Sequence, residues 1–135
     1  MTTSFERIQI LTDLLQKHNI KNVIFSPGSR NAPIVIAIRN NKFFNTKVIV
    51  DERSAGFIAM GMAQQLQEPV IICSTSGSST LNYAPAICEA FYQKIPLIVL
   101  TADRPPEWID QGEGQSIKQN AIYNNYIAGS FQFPV

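Results

Sequence analysis

The sequence predicts an α/β fold: a doubly wound, mostly parallel sheet with helices on both faces. Short apolar runs alternate along the 135-residue chain with longer segments whose apolar residues recur at helical spacing. The short runs are continuously apolar, which indicates strands covered on both faces rather than on one. Strands that alternate with helices pair in parallel through right-handed crossovers, so the pattern favours one domain of ordinary size.

Eight elements follow one another in this pattern. The first helix is expected over residues 4–17, because residues 3–6 fit a capping box and Ile8, Leu11 and Leu15 follow at helical spacing. Strands and helices are then expected to alternate, with Pro85 as a candidate kink in the last helix. The strands are expected at residues 22–26, 48–50, 69–74 and 95–101, and the helices at residues 32–39, 55–67 and 79–92.

Composition and charge exclude several classes of function. Hydrophobic residues make up 45% of the chain, which is enough for a packed core. The 11 basic and 10 acidic residues give a net charge of +1 without a basic run, which argues against a nucleic acid or an anionic membrane as the partner. Cys73 and Cys88 lack metal-ligand spacing and His18 is the single histidine, so no metal site is expected here. Free thiols, without a signal peptide or a membrane-spanning pattern, indicate a cytoplasmic protein.

Four polar segments follow the four expected strands, at residues 26–31, 51–53, 75–80 and 102–106. The carboxyl ends of parallel strands lie at one edge of a sheet, and open α/β folds bind their ligands at that edge. We therefore expect the four segments to converge on one ligand site, although their residue types alone do not name the ligand.

The segment Asp-Glu-Arg at residues 51–53 is the most informative of the four. It lies where an apolar run expected to be a buried strand, residues 47–50, meets a helix rich in Ala and Met. Burial among small and apolar residues favours the protonated form of a carboxylate, so Glu52 is a candidate for proton chemistry. The alternative is a helix start at which acidic residues complement the helix dipole.

The first and third segments allow both binding and structural roles. Gly28 permits a tight turn, after which Ser29 and Arg30 can bind an anion at a helix start. The alternative for Arg30 is an ordinary surface ion pair. Residues 75–80 can hold a ligand through backbone amides or simply cap a helix, and they lack the lysine of a phosphate-binding P-loop.

The fourth segment leads into a glycine-bearing loop. Arg104 stands before two prolines that fix the backbone, and it can serve either a ligand or the fold. The loop at residues 112–115, with Lys118 shortly after it, can fold over the site or lie in solvent.

Together these segments resemble one enzyme family. The motifs are Ser-Pro-Gly-Ser-Arg at 26–30, Asp-Glu-Arg-Ser-Ala-Gly at 51–56, Thr-Ser-Gly-Ser-Ser-Thr-Leu-Asn at 75–82 and Leu-Thr-Ala-Asp-Arg-Pro-Pro-Glu at 100–107. In this order they are similar to the N-terminal pyrimidine-binding domain of the thiamine-diphosphate-dependent synthase of menaquinone biosynthesis. The third motif is shared with the wider superfamily of thiamine-diphosphate enzymes, whereas the first and the last point to this member.

The resemblance implies a transferase that decarboxylates 2-oxoglutarate and adds the succinyl unit to isochorismate, giving 2-succinyl-5-enolpyruvyl-6-hydroxy-3-cyclohexene-1-carboxylate. It implies that Glu52 is the catalytic residue, which hydrogen-bonds N1′ of the cofactor's aminopyrimidine and promotes the tautomer that deprotonates C2 of the thiazolium. The resemblance implies cofactor binding by Glu52, Thr75, Ser76, Gly77, Ser78 and Asn82. It implies substrate binding by Ser29, Arg30, Arg104 and Gln115.

The sequence departs from the pattern of the whole enzyme. Gly114 stands where the family often has Asn, so one polar contact is absent or comes from elsewhere. The Gly-Asp-Gly segment that holds the diphosphate through Mg²⁺ or Mn²⁺ is absent, as are further arginines for 2-oxoglutarate. We therefore expect residues 1–135 to be one N-terminal domain, inactive alone, that shares its site with the diphosphate-binding domain of a second subunit in a homo-oligomer. The apolar segment 130–135 is expected to be an interdomain connection.

Two alternatives stay open on the residues themselves. Glu52 and the segment 75–77 also suit another thiamine-diphosphate decarboxylase or oxidase. The same sheet also suits a stand-alone regulatory domain that binds an anion or a nucleotide without catalysis.

Overall fold

Four parallel strands form one sheet in the computed structural model, which describes residues 6–133. In chain order the strands are β1 Asn22–Phe25, β2 Asn45–Val48, β3 Val70–Ser74 and β4 Leu97–Thr101. The helices are α1 Glu6–Lys17, α2 Ala32–Arg39, α3 Glu52–Leu66, α4 Ser78–Asn82 and α5 Ala84–Gln93, and short 3₁₀ turns lie at Pro106–Trp108 and Asn124–Tyr126. The spatial order β2-β1-β3-β4 reverses its winding direction beside β1, which confirms the predicted doubly wound parallel sheet.

Two apolar clusters fill the spaces on either side of the sheet, because alternate residues of a strand point to opposite faces. On one face the buried residues come from the two central strands, α1, α2 and the turn before β2: Leu15, Val23, Phe25, Ile38, Phe44, Ile71 and Cys73. On the other face they come from the central strands, α3, α5 and a later turn: Ile24, Ala55, Ala59, Ala63, Val70, Ile72, Tyr83, Ile87 and Tyr123. Alanines spaced four residues apart give α3 a small-residue face against the sheet. Helices therefore cover both faces, as predicted.

The prediction for the second strand is wrong in position and in burial. Residues 48–50 were expected to form a buried strand, whereas β2 runs over Asn45–Val48 and its side chains are mostly exposed. The strand lies at the edge of the sheet and pairs with the four residues of β1, from Asn22 opposite Asn45 to Phe25 opposite Val48. Only Ile49 continues the ladder, donating its N–H to the Phe25 carbonyl at 2.9 Å, and Val50 is 79% exposed. Cover on both faces is complete only for β1 and β3, since β4 is half-buried.

The long helix expected at residues 79–92 is two helices. α4 ends at Asn82 and α5 begins at Ala84, with Tyr83 between them. Pro85 occupies the first turn of α5, where its missing N–H costs nothing, so the expected kink is a complete break.

The remaining boundaries agree within three residues. α3 starts at Glu52 instead of residue 55 because Asp51 is its N-cap. The expected start of the first helix at residue 4, most of its capping box and the end of the segment 130–135 lie outside the described residues.

Candidate functional site

Three of the four strand-end segments meet at one cleft with a volume of about 380 Å³. Its walls come from the turn after β1, the start of α3, the β3–α4 turn with α4, and the loop after β4. The lining residues are Pro27, Gly28, Ser29, Val50, Glu52, Thr75, Ser78, Ser79, Asn82 and Gln115. Six predicted site residues are thus brought together: Ser29, Glu52, Thr75, Ser78, Asn82 and Gln115.

Glu52 is the first residue of α3 and is half-buried at the cleft. Both of its carboxylate oxygens accept hydrogen bonds from α4. Ser79 donates its hydroxyl to Oε1 at 2.5 Å, and Asn82 donates its side-chain N–H to Oε2 at 3.3 Å. The carboxylate is therefore held in one orientation against the cleft.

The neighbouring carboxylate has a structural role. Asp51 is the N-cap of α3, and its Oδ1 accepts the backbone N–H of Ser54 at 2.7 Å. This hydrogen bond lowers the pKa of the exposed Asp51 carboxyl below its ordinary value. The helix-start interpretation that the sequence left open for the acidic pair thus applies to Asp51.

The turn after β1 is shaped by a buried asparagine that the sequence interpretation missed. Asn31 accepts the Gly28 N–H at 2.8 Å and donates to the Ser26 carbonyl at 3.1 Å. A Cβ at Gly28 would lie 2.5 Å from the side chain of Thr75, so glycine is required for close approach of two strand ends. The turn holds Ser29 against the cleft.

Gly77 in the β3–α4 turn contacts both Gln115 and Gln119 of the loop after β4. Gly77 has a φ of +80°, and a Cβ there would lie 2.7 Å from the Cα of Gln115. Its N–H donates to Oε1 of the buried Gln119 at 2.7 Å, and Nε2 of Gln119 donates to the Ala102 carbonyl at 2.9 Å. Gln119 therefore ties the loop that carries Gln115 to the turn below it. No sequence signal marked Gln119, because its two partners are distant along the chain.

Ser76 and Gly77 are buried below the cleft and do not line it. The hydroxyls of Ser74, Thr75 and Ser76 are buried and have no hydrogen-bond partner within residues 6–133. Buried hydroxyls without partners are unusual in folded proteins, and of these three residues only Thr75 lines the cleft.

Two buried tyrosines donate hydrogen bonds to the segments that form the cleft. Tyr83 donates its hydroxyl to Oγ of Ser26 at 3.0 Å, and Tyr123 donates its hydroxyl to the Thr80 carbonyl. Burial raises the pKa of both phenols well above the ordinary value, so both keep the proton that they donate.

Arg30 and Arg104 contact the same aromatic ring but do not line the cleft. Both line an adjoining, larger groove, and both guanidinium groups lie over the ring of Trp108, at 5.4 Å and 5.8 Å from its centroid. Nη2 of Arg104 also donates to the Gly114 carbonyl at 3.1 Å, a polar contact at the position where Gly114 departs from the family pattern. Lys118 instead pairs with Asp110 at 2.8 Å on the exposed side of the loop.

Residues 6–133 form neither a cluster of metal-binding side chains nor a membrane-spanning helix. Residues 6–133 contain no group of three or more His, Cys, Asp or Glu side chains placed to hold a metal ion. Within the same range, no helix combines the length and the apolar character that crossing a membrane requires.

Comparison with known proteins agrees with the motifs. Three curated relatives are each named 2-succinyl-5-enolpyruvyl-6-hydroxy-3-cyclohexene-1-carboxylate synthase. The protein of Cytophaga hutchinsonii is 52% identical over 94% of this chain, that of Porphyromonas gingivalis 49% over 89%, and that of Bacteroides fragilis 42% over 99%. The chain spans only 23%, 21% and 24% of these proteins. Their names confirm the resemblance predicted from the four motifs.

A solved structure and a family model show where the chain belongs. The crystal structure of benzoylformate decarboxylase from Polynucleobacter necessarius superimposes with a TM-score of 0.76 over 89% of this chain and 22% of that one. At 24% identity this likeness supports the fold. Residues 7–122 match the model described as the thiamine pyrophosphate enzyme, N-terminal TPP binding domain. The chain therefore belongs to the family of N-terminal thiamine-pyrophosphate-binding domains.

Proposed function

We propose that this chain is the pyrimidine-binding domain of a longer thiamine-diphosphate-dependent transferase. The proposed enzyme decarboxylates 2-oxoglutarate and adds the succinyl unit to isochorismate, as the name shared by the relatives suggests. The observation that carries the proposal is the half-buried Glu52 carboxylate, held by Ser79 and Asn82 at a cleft of about 380 Å³. Identity of about half to these relatives favours this reaction over another decarboxylase and over a regulatory domain.

The residues at the cleft fit an aminopyrimidine ring. Such a ring presents nitrogen atoms that need both donors and acceptors, and the cleft offers the Glu52 carboxylate together with Thr75, whose hydroxyl has no partner within residues 6–133. Glu52 would hold the ring nitrogen N1′, while Thr75, Ser78 and Asn82 would form the surrounding wall and the buried Ser76 and Gly77 would support it. When bound, thiamine diphosphate supplies a carbon nucleophile suited to decarboxylating a 2-oxo acid.

The part of this chain in the reaction is to move one proton. A carboxylate within hydrogen-bond distance of a ring nitrogen can give and take a proton at that atom. The bonds from Ser79 and Asn82 leave further lone pairs of Glu52 free to face the ring, since a carboxylate accepts about four hydrogen bonds. Fixed donors also avoid reorganisation when the charge on Glu52 changes.

Substrate carboxylates would be bound by the neighbouring polar residues. Ser29 and Gln115 line the cleft, and the guanidinium groups of Arg30 and Arg104 lie beside it. Arginine binds carboxylates with two parallel hydrogen bonds, which suits the acidic substrates 2-oxoglutarate and isochorismate.

Other parts of the enzyme would complete the site. We propose that Mg²⁺ or Mn²⁺ and the diphosphate are bound by a domain of a second subunit, so that the active enzyme is a homo-oligomer. Relatives four to five times as long support the existence of further domains, since this chain covers 23% and 21% of two of them. The free thiols Cys73 and Cys88 are consistent with the proposed cytoplasmic location.

The test is the substrate preference of the full-length natural protein. With thiamine diphosphate, Mg²⁺ and isochorismate, we expect product formation with 2-oxoglutarate and little with pyruvate or benzoylformate. Residues 1–135 alone should release no carbon dioxide from the same mixture. Turnover of pyruvate or benzoylformate in preference to 2-oxoglutarate would overturn the proposal, as would turnover by the isolated domain.

A further inference from the structure

Trp108 contacts two arginines that come from different parts of the chain. Arg30 belongs to the turn after β1 and Arg104 to the segment after β4, 74 positions later in the sequence. The two guanidinium carbons are 5.4 Å and 5.8 Å from the centroid of the same indole ring. Both distances are within the range of cation–π contacts, and tryptophan is the best aromatic partner for this interaction.

The two arginines carry charge that the described chain does not neutralise. The ion pairs found within residues 6–133 join Lys21 to Glu68 and Lys118 to Asp110, and neither includes these arginines. Nε of Arg104 is buried without a hydrogen-bond partner in the same range. Two guanidinium groups without an acidic partner in this range suit a negatively charged ligand.

The pair also lies beside the cleft. Ser29, which precedes Arg30, lines the cleft, and Gly114, whose carbonyl accepts from Arg104, precedes the lining residue Gln115. Arg30 is therefore one residue from the cleft wall, and Arg104 is one hydrogen bond and one residue from it.

We propose that Trp108 is a positioning residue, whose indole holds the Arg30 and Arg104 guanidinium groups in place to bind carboxylates of the substrate. The inference rests on the proposed function and adds a residue to it. Arginine has many rotamers, and stacking on a flat ring limits them before the ligand arrives, which reduces the entropy lost on binding. The indole itself need not touch the substrate.

The experiment compares Trp108→Leu and Trp108→Phe in the full-length enzyme. We expect Trp108→Leu to raise KM for isochorismate about tenfold, with kcat and the dissociation constant of thiamine diphosphate changed less than about twofold. Trp108→Phe keeps an aromatic ring that binds cations more weakly, so it should raise this KM less than Trp108→Leu does. Phe91→Leu is the matched control. Phe91 lines the groove that Arg30 and Arg104 also line, makes no cation–π contact with either arginine, and is 42% exposed, against 41% for Trp108.

The outcomes separate this inference from the proposed function. Normal turnover with an unchanged isochorismate KM in Trp108→Leu would overturn the inference alone. Equal effects of Trp108→Leu and Phe91→Leu, or an equal loss of thiamine diphosphate affinity, would assign Trp108 to packing and also overturn it. A wild-type enzyme that does not use isochorismate would overturn the proposed function, and the carboxylate role of Trp108 with it.

Discussion

Replacing Glu52 by Gln in the full-length enzyme should abolish most of the activity while leaving the fold intact. The amide has the size and shape of the carboxylate, so the cleft keeps its form. The amide cannot take or give the proton at the cofactor nitrogen, and loss of an acid–base group typically lowers the rate ~10²–10⁴-fold. The expected change is a lower kcat in a protein that still folds.

The cost to stability follows from the contacts of Glu52. The Ser79 hydroxyl, now at 2.5 Å from Oε1, would donate to a neutral oxygen instead of a charged one. The amide nitrogen would face Nδ2 of Asn82, now at 3.3 Å from Oε2, until the Asn82 amide turns over. Exchanging a charge-assisted bond for a neutral one, together with losing a charge at a helix start, lowers the free energy of unfolding by about 1–2 kcal/mol.

The neighbouring carboxylate provides the control, because Asn is as good an N-cap as Asp. Asp51→Asn should keep the hydrogen bond from Ser54 and lose little activity. The assay is carbon dioxide release from 2-oxoglutarate, together with the rate of C2–H exchange of bound thiamine diphosphate, in wild type and both variants. Unchanged exchange in Glu52→Gln, or an equal loss in Asp51→Asn, would refute the assignment of proton transfer to Glu52.

Two further predictions concern the buried side chain of Gln119 and the thiols of Cys73 and Cys88. Gln119→Leu leaves the buried N–H of Gly77 without its partner, so the free energy of unfolding measured in urea should fall by about 1–3 kcal/mol. Replacing the exposed Gln64 by Leu should change it very little. Equal losses in the two variants would contradict the role of Gln119 in joining the two loops. Burial raises the pKa of Cys73 from 9.0 to about 12, so the unfolded chain loses the thiol proton at a lower pH than the folded protein does. The contribution of Cys73 to stability should therefore fall as the pH rises from 9 toward 12. At pH 8 the folded protein should therefore be alkylated by iodoacetamide at the half-buried Cys88 and spared at Cys73, as read by peptide mapping, and comparable rates at the two thiols would contradict this.

The fold class was predictable because its signal is repeated along the chain. Each apolar run followed by a helical pattern is one strand–helix unit, and the rules for parallel sheets leave few arrangements of such units. The exact position of β2 was not predictable from apolarity. The strand was predicted at the apolar residues 48–50. Its true position is set by pairing with β1, and that pairing begins at Asn45 of β2. An edge strand needs fewer apolar side chains than a central one, so Asn45–Val48 gave little sequence signal.

The candidate site was predictable to the extent that topology sets it. Glu52, Thr75 and Ser29 follow three strands, and parallel pairing alone brings the ends of those strands to one edge. Asn82 was predicted as a site residue, but Asn31, Ser79 and Gln119 were missed because their contacts depend on distances in three dimensions. Ser79 lies 27 positions from Glu52, and only the placement of α4 against the start of α3 makes them partners.

The loop after β4 links the two halves of the site. Gln119 joins this loop to Gly77, which directly precedes α4, and α4 carries both hydrogen-bond donors to Glu52. The same loop carries Gln115 into the cleft and supplies the Gly114 carbonyl that accepts from Arg104. The residues proposed for the cofactor and those proposed for the substrate are therefore held by one continuous set of contacts. A displacement of the loop would therefore move Gln115, Arg104 and the hydrogen-bond donors to Glu52 together. Gln119 has no chemical role of its own, and its function is to hold the loop and α4 in fixed relative positions.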